Sequence, residues 1–243
     1  MNLLNDYSVK RYIKSLEDVY PSKCLLTVCG CMEKGSFKTS HSQNVAPVSS
    51  NLAELAATHK ASKVRNIVMY ITATSYFNGD MMKFLINEML DRKDDSSVEQ
   101  YYTALDQNLR MHPPCASYMT SEYEHLFLKP YRKCFREMTL WEYLMETFNR
   151  IISGSLSLGE GNAFDLAFRR CLSFCVKILQ IDFEVCKTTG SRALIMKCLN
   201  YKLERRTRMH DICKILDGLF FTGYDIRMPI INLALLVNQM MAM

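Results

Sequence analysis

The sequence predicts an all-α protein: a compact multi-helix chain with one core or two helical lobes, and at most a minor strand near residues 23–31. Composition and periodicity carry this. Gly and Pro number only nine and six in 243 residues, whereas Leu, Met, Lys and Glu are common, a balance that favours helix over sheet. Apolar residues make up 49% of the chain and recur at three- and four-residue spacings through most of it. A chain this long buries about 70% or more of its unfolded surface, enough for a core without covalent staples.

Residues 3–19 read as the first helix, with Leu4, Tyr7, Ile13 and Leu16 at roughly helical spacing and Pro21 as its stop. Cys24–Cys31, CLLTVCGC, is the strand candidate: short, rich in Leu, Val and Thr, and closed by Gly30. Residues 32–49 are polar, include Gly35 and Pro47, and read as a long surface loop. Helices follow over 51–60 and 62–77, the second carrying Val64, Ile67, Val68, Ile71 and Tyr76. Asn78-Gly79-Asp80 is a turn, with Asp80 placed to cap a helix over 81–92. Ser97 and Gln100 fit a capping box at the head of a helix over 97–111, which Pro113-Pro114 ends.

A short helix over 121–128 stops at Pro130. Thr139 and Glu142 make a second capping-box pattern, and the helix it opens runs to about 152 and holds the only tryptophan, Trp141. Ser153–Asn162, SGSLSLGEGN, contains three of the nine glycines and reads as a boundary between an N-terminal lobe, 1–153, and a C-terminal lobe, 162–243. Asn162 is placed to cap a helix over 163–180, striped by Phe164, Ala167, Phe168, Cys171, Leu172, Cys175, Val176 and Leu179. A basic helix is expected over 191–206 and a last helix over 228–241. That last segment, MPIINLALLVNQMMAM, is apolar around most of its circumference, with Asn232 and Gln239 on one narrow line. Such a helix is normally buried; docking on a second copy is the other reading. Its 16 residues include Asn232, Asn238 and Gln239, too short and polar a stretch for a hydrocarbon layer of about 30 Å.

Charge is the most local feature. Between Lys187 and Lys214 stand Lys187, Arg192, Lys197, Lys202, Arg205, Arg206, Arg208 and Lys214, opposed only by Glu204 and Asp211. The segment carries a net +6 in a chain of net +5, so the remainder sums to −1. If one helix runs through it, Ile195, Cys198, Leu199 and Leu203 form the inner stripe. Lys197, Tyr201, Arg205 and Arg208 then share an outer face. Cations with an aromatic among them can neutralise phosphates and stack on a base. The candidate nucleic-acid-binding residues are therefore Lys197, Tyr201, Lys202, Arg205, Arg206 and Arg208. The bland alternative is a solvated face, with Arg205 and Arg206 favoured at the negative end of a helix dipole.

The ten cysteines sit mostly inside apolar helical patterns. The opening MNLLNDYSVKRY lacks the apolar stretch of a signal peptide. Both point to a reducing compartment, cytoplasm or nucleus, with the thiols acting as small hydrophobes. Cys24, Cys29, Cys31 and His41 have the right chemistry for zinc but an irregular spacing, and buried or free thiols are the default. Cys171 and Cys175, four apart among Phe164, Phe168, Leu172 and Leu179, read as core.

No Gly-rich phosphate loop, H-E-x-x-H or G-x-S-x-G occurs, and the five histidines share no motif spacing. The expectation is a protein without a catalytic site or cofactor. In size, helix content and local basic patch the chain is similar in type to small helical viral nucleocapsid, matrix and host-interaction proteins. That likeness covers no specific residues and transfers no site. The expected function is binding of a protein partner or self-association, with no membrane span. The alternative is binding of single-stranded RNA or another polyanion through the basic segment.

Overall fold

The structure, a computed structural model, describes residues 45–49, 67–130, 137–156, 163–200, 211, 214–215 and 224–242. The helices expected over 3–19 and 51–60 and the strand near 23–31 lie outside these residues. Among those described, two short strands, β1 (Ala46–Pro47) and β2 (Ser75–Tyr76), precede seven helices. These are α1 (Gly79–Leu90), α2 (Asp95–Met111), α3 (Ser117–Leu128), α4 (Leu140–Ile152), α5 (Ala163–Thr189), α6 (Leu194–Cys198) and α7 (Tyr224–Ala242). The chain is all-α, as its composition predicts, with one minor parallel strand pair.

α5 is the hub. Its 27 residues span about 40 Å at 1.5 Å per residue, and α1, α2, α6 and α7 all pack on it. Cys171, Leu172, Phe174, Cys175, Val176, Ile178, Leu179, Ile181 and Phe183 are all buried. Burial on almost every side is the signature of a helix at the centre of a core. The stripe predicted to end at Leu179 thus continues to Cys186, and the helix stops only where Gly190 takes φ +67°, a turn that favours glycine. α7 lies against α5 with Ile230, Ile231, Leu233, Leu235, Leu236, Val237 and Met240 buried. The internal reading of this segment is therefore the one the fold adopts. α7 begins four residues earlier than expected and runs through Pro229, which removes one intrahelical donor.

The helix starts show which signals act locally. Thr139 Oγ1 accepts from the backbone N–H of Glu142 at 3.1 Å, and Glu142 Oε2 accepts from that of Thr139 at 3.0 Å, the full capping box read from the sequence. Asn78 caps α1 in place of Asp80, accepting from Met81 at 2.9 Å. Asp94 caps α2 in place of Ser97, accepting from the Ser97 N–H at 2.8 Å. In both cases an earlier residue with a suitable oxygen wins, and the helix starts two residues sooner; α1 also ends two residues sooner, at Leu90. α3 starts four residues before its predicted position, because the turn after Pro113 returns at once to helix: Ala116 donates to the Pro113 carbonyl at 3.0 Å and Met119 to that of Ala116 at 2.9 Å.

Two expectations fail. The helix read over 62–77 does not persist: 69–70 form a turn and Ser75–Tyr76 a strand. Thr72, Thr74 and Ser75 carry hydroxyls that compete for backbone groups, and Thr72 Oγ1 takes the Thr74 N–H at 3.3 Å. Ile67, Ile71 and Tyr76 stay buried all the same. The described end of the 32–49 loop is strand: Ala46 and Val48 donate to the carbonyls of Thr74 and Tyr76 at 2.9 and 2.8 Å. Pro47 stands on the far edge and offers no N–H to a further strand.

Candidate functional site

The basic segment is organised differently from its prediction. Its helix is α6, five residues long, and Asn200 beyond it takes φ +51°, a left-handed conformation that asparagine tolerates and a helix interior does not. Of the helix expected over 191–206, the described part runs only from Leu194 to Cys198. Ile195, Cys198 and Leu199 are buried as expected. The N-terminus of α6 has no cap of its own. Asp182 of α5 supplies one, its Oδ2 accepting from the Leu194 N–H at 2.5 Å. Burial raises this carboxyl above its ordinary range, against the lowering pull of that N–H and of Lys197.

Three of the described cations of the segment, Lys187, Arg192 and Lys197, have partners on the protein. Lys187 bonds Glu184 at 3.0 Å, Arg192 donates to the Met196 carbonyl at 3.2 Å, and Lys197 bridges to Glu124 of α3 at 2.5 Å. Asp211 turns inward and accepts from Trp141 Nε1 at 3.1 Å. Tyr201, Lys202, Arg205, Arg206 and Arg208 lie outside the described residues, as do the zinc candidates Cys24, Cys29, Cys31 and His41. Among the described residues no cluster of three or more His, Cys, Asp or Glu could hold a metal.

A second feature is the knuckle between Ile67 and β2. Met69 is 77% exposed and Tyr70 46%, side by side, and Thr72, Ala73 and Thr74 beyond them are exposed too. The knuckle is held from beneath by His112, which is wholly buried. Its Nε2–H lies 2.7 Å from the Thr72 carbonyl and 3.0 Å from that of Ser75. With that nitrogen donating, Nδ1 accepts from the Tyr118 hydroxyl at 2.8 Å. Tyr76 and Tyr118 flank the imidazole ring, at 5.8 and 6.0 Å between centroids. A lone histidine before two prolines gave no sequence signal for this clamp.

The third feature is the crossing of α1 and α3. Gly79 meets Glu122 and Asp80 meets His125 where the two helices pack. Glu122 Oε2 accepts from the Gly79 N–H at 2.7 Å. A Cβ on Gly79 would come within 2.9 Å of the Glu122 carbonyl oxygen and of His125 Cβ. One turn on, Lys83 is 1% exposed, and its Nζ has no hydrogen-bond partner. Asp80 Oδ1 stands 3.9 Å away, too far for a hydrogen bond, and is taken at 2.9 Å by His125 Nε2. Burial lowers the Lys83 amine below its ordinary range, Asp80 opposes that shift, and Lys129 adds to it.

Sequence reasoning passed over this crossing. Lysine at an exposed-looking helical position is common, and nothing local marks its burial. In the sequence, Lys129–Arg136, KPYRKCFR, holds four cations and no acid in eight residues. That is a denser run than the net +6 spread over the 28 residues from Lys187 to Lys214.

Among the described thiols, Cys115, Cys175 and Cys186 are chemically quiet. Cys171 and Cys175 are free and buried, as the core reading predicts. Burial pushes the Cys115 thiol up to about 11 and raises those of Cys175 and Cys186, so none is a ready thiolate nucleophile at neutral pH. A part-buried ladder of Glu99–Arg170 at 2.6 Å and Asp106–Lys177 at 2.7 Å joins α2 to α5. No helix among the described residues is long and apolar enough to cross a membrane. No known protein family, curated protein or solved structure matches this chain.

Proposed function

We propose that the protein is a non-enzymatic interaction protein of the cytoplasm or nucleus, acting by binding a protein partner or a second copy of itself. The exposed Met69–Tyr70 pair carries this reading. An adaptable thioether beside an aromatic with a polar tip suits protein contact. The His112 clamp fixes the backbone behind them, which lowers the ordering cost of association. The quiet thiols and the internally committed His112 and Asp182 fit a protein whose polar interior serves structure.

Sedimentation velocity over a concentration series tests the self-association form. The wild type is expected to gain mass with concentration, and Met69→Ser with Tyr70→Ser to remain monomeric. A wild type that is monomeric throughout removes the second copy and leaves a different protein as partner.

The +6 net charge favours one further reading: binding of RNA in the manner of viral nucleocapsid, matrix or host-interaction proteins. Lys187 and Lys197 are already engaged, so this reading rests on Tyr201, Lys202, Arg205, Arg206 and Arg208. Affinity for a generic single-stranded RNA should fall steeply with salt, and Arg205→Ala with Arg206→Ala should flatten the slope by about two. No binding at low salt contradicts it.

A further inference from the structure

We propose that the head of Lys83, together with Lys129, is the seat of a phosphate-sized oxyanion at the α1–α3 crossing. This is independent of the protein-binding reading. An ammonium has three donors and no acceptor. Lys83 carries one that is 1% exposed and bonded to nothing. A buried donor left in that condition calls for a water, an ion or a ligand to complete it. Among the described residues the carboxylate paired with Lys83, Asp80, is 3.9 Å from Nζ and turned to His125 instead. The other nearby carboxylate, Glu122, is spent on the Gly79 N–H. The charge of exposed Lys129 acts against that of Lys83, an interaction that costs energy when the site is empty and is relieved by an anion.

The crossing also supplies a way in. The side chain of Asp80 is 67% exposed and that of His125 29%, so the pair beside Lys83 reaches the surface. The backbone beneath is held, because Gly79 lets α1 and α3 touch and no larger residue would. The oxyanion would accept from Nζ of Lys83 and be screened from Asp80 by the His125 imidazole.

The test is the unfolding midpoint of the full chain in inorganic phosphate against chloride at equal ionic strength and pH. A ligand that binds only the folded state stabilises it in proportion to the logarithm of its concentration. The wild-type midpoint should rise by about 3–6 °C at ten times the dissociation constant. Lys83→Met should abolish the rise, and Lys129→Ala should shift it to several-fold higher phosphate. Lys83→Met removes a buried charge and is expected to fold, so the comparison remains readable. A second arm replaces phosphate with a short single-stranded RNA. If RNA alone raises the midpoint, and Lys83→Met removes that effect, the phosphate is that of a polymer. Equal midpoints in phosphate and chloride for the wild type, or an undiminished rise in Lys83→Met, overturn the proposal.

Discussion

The α1–α3 crossing and the α5–α6 junction are built alike and completed differently. In each, a carboxylate from another helix accepts the first N–H of a helix: Glu122 takes that of Gly79 at 2.7 Å, and Asp182 that of Leu194 at 2.5 Å. In each, a charged side chain is buried, Lys83 in one and Asp182 in the other. Asp182 is answered by the Leu194 N–H, the Cys186 thiol and the nearby charge of Lys197. Lys83 is answered by nothing closer than 3.9 Å. A buried charge with partners is ordinary structure; one without them lowers stability and marks a place where the fold serves another end.

Gly79→Val strikes the first region hardest. The added atoms collide with the Glu122 carbonyl and His125 at the closest helix approach, and the loss should be about 3 kcal/mol, read as a lowered denaturant midpoint. An unchanged midpoint would show that the crossing is loose. In the second region, Asp182→Ala leaves the Leu194 N–H buried and unmet, at a cost of about 2 kcal/mol. Asp182→Asn keeps an acceptor and separates charge from hydrogen bond. The folded-state pKa of Asp182 is raised, so folding favours its protonated form. That contribution is complete at acid pH and is lost as pH rises through the raised pKa. Asp182→Asn should therefore match the wild type in acid and equal or exceed it at neutral pH. A neutral-pH loss as large as that of alanine would mean that the charge itself holds α6.

Lys83→Met should act in the opposite direction, stabilising the protein at neutral pH by about 1–2 kcal/mol. The folded-state pKa of Lys83 is depressed. The wild type is least handicapped above the ordinary lysine range and loses stability as pH falls through the depressed value. The advantage of methionine should accordingly shrink as pH is raised towards 10.5. Destabilisation at neutral pH would place an unrecognised partner on Nζ. The smallest effect belongs to a helix capped by its own sequence: Thr139→Ala should cost about 1 kcal/mol, measurable by the same denaturant titration.

These effects also separate what the sequence makes legible from what it hides. The capping box of Thr139 and Glu142 was readable because both partners lie within four residues. The apolar stripe of α5 and the burial of α7 were readable from periodicity alone. The caps of α1 and α6 were only half visible, since Glu122 and Asp182 reach them from distant positions. α6 itself was overextended, because the Leu194–Leu203 spacing continues a helical period that Asn200 interrupts. The 62–77 helix was misread because the same buried residues, Ile67, Ile71 and Tyr76, satisfy a turn and strand once His112 binds the carbonyls of Thr72 and Ser75. The candidate sites were the least legible: the exposure of Met69 and Tyr70 and the isolation of Lys83 are properties of packing, which no local pattern records.

The most direct test of the interaction reading is photo-crosslinking from position 70 in cells producing the protein, with Thr103 on the exposed face of α2 as control. A crosslinker at Tyr70 should capture one discrete protein, or a second copy of the chain, and Met69→Ser should abolish the adduct. Adducts from position 70 no stronger than those from position 103, or unaffected by Met69→Ser, would contradict the account.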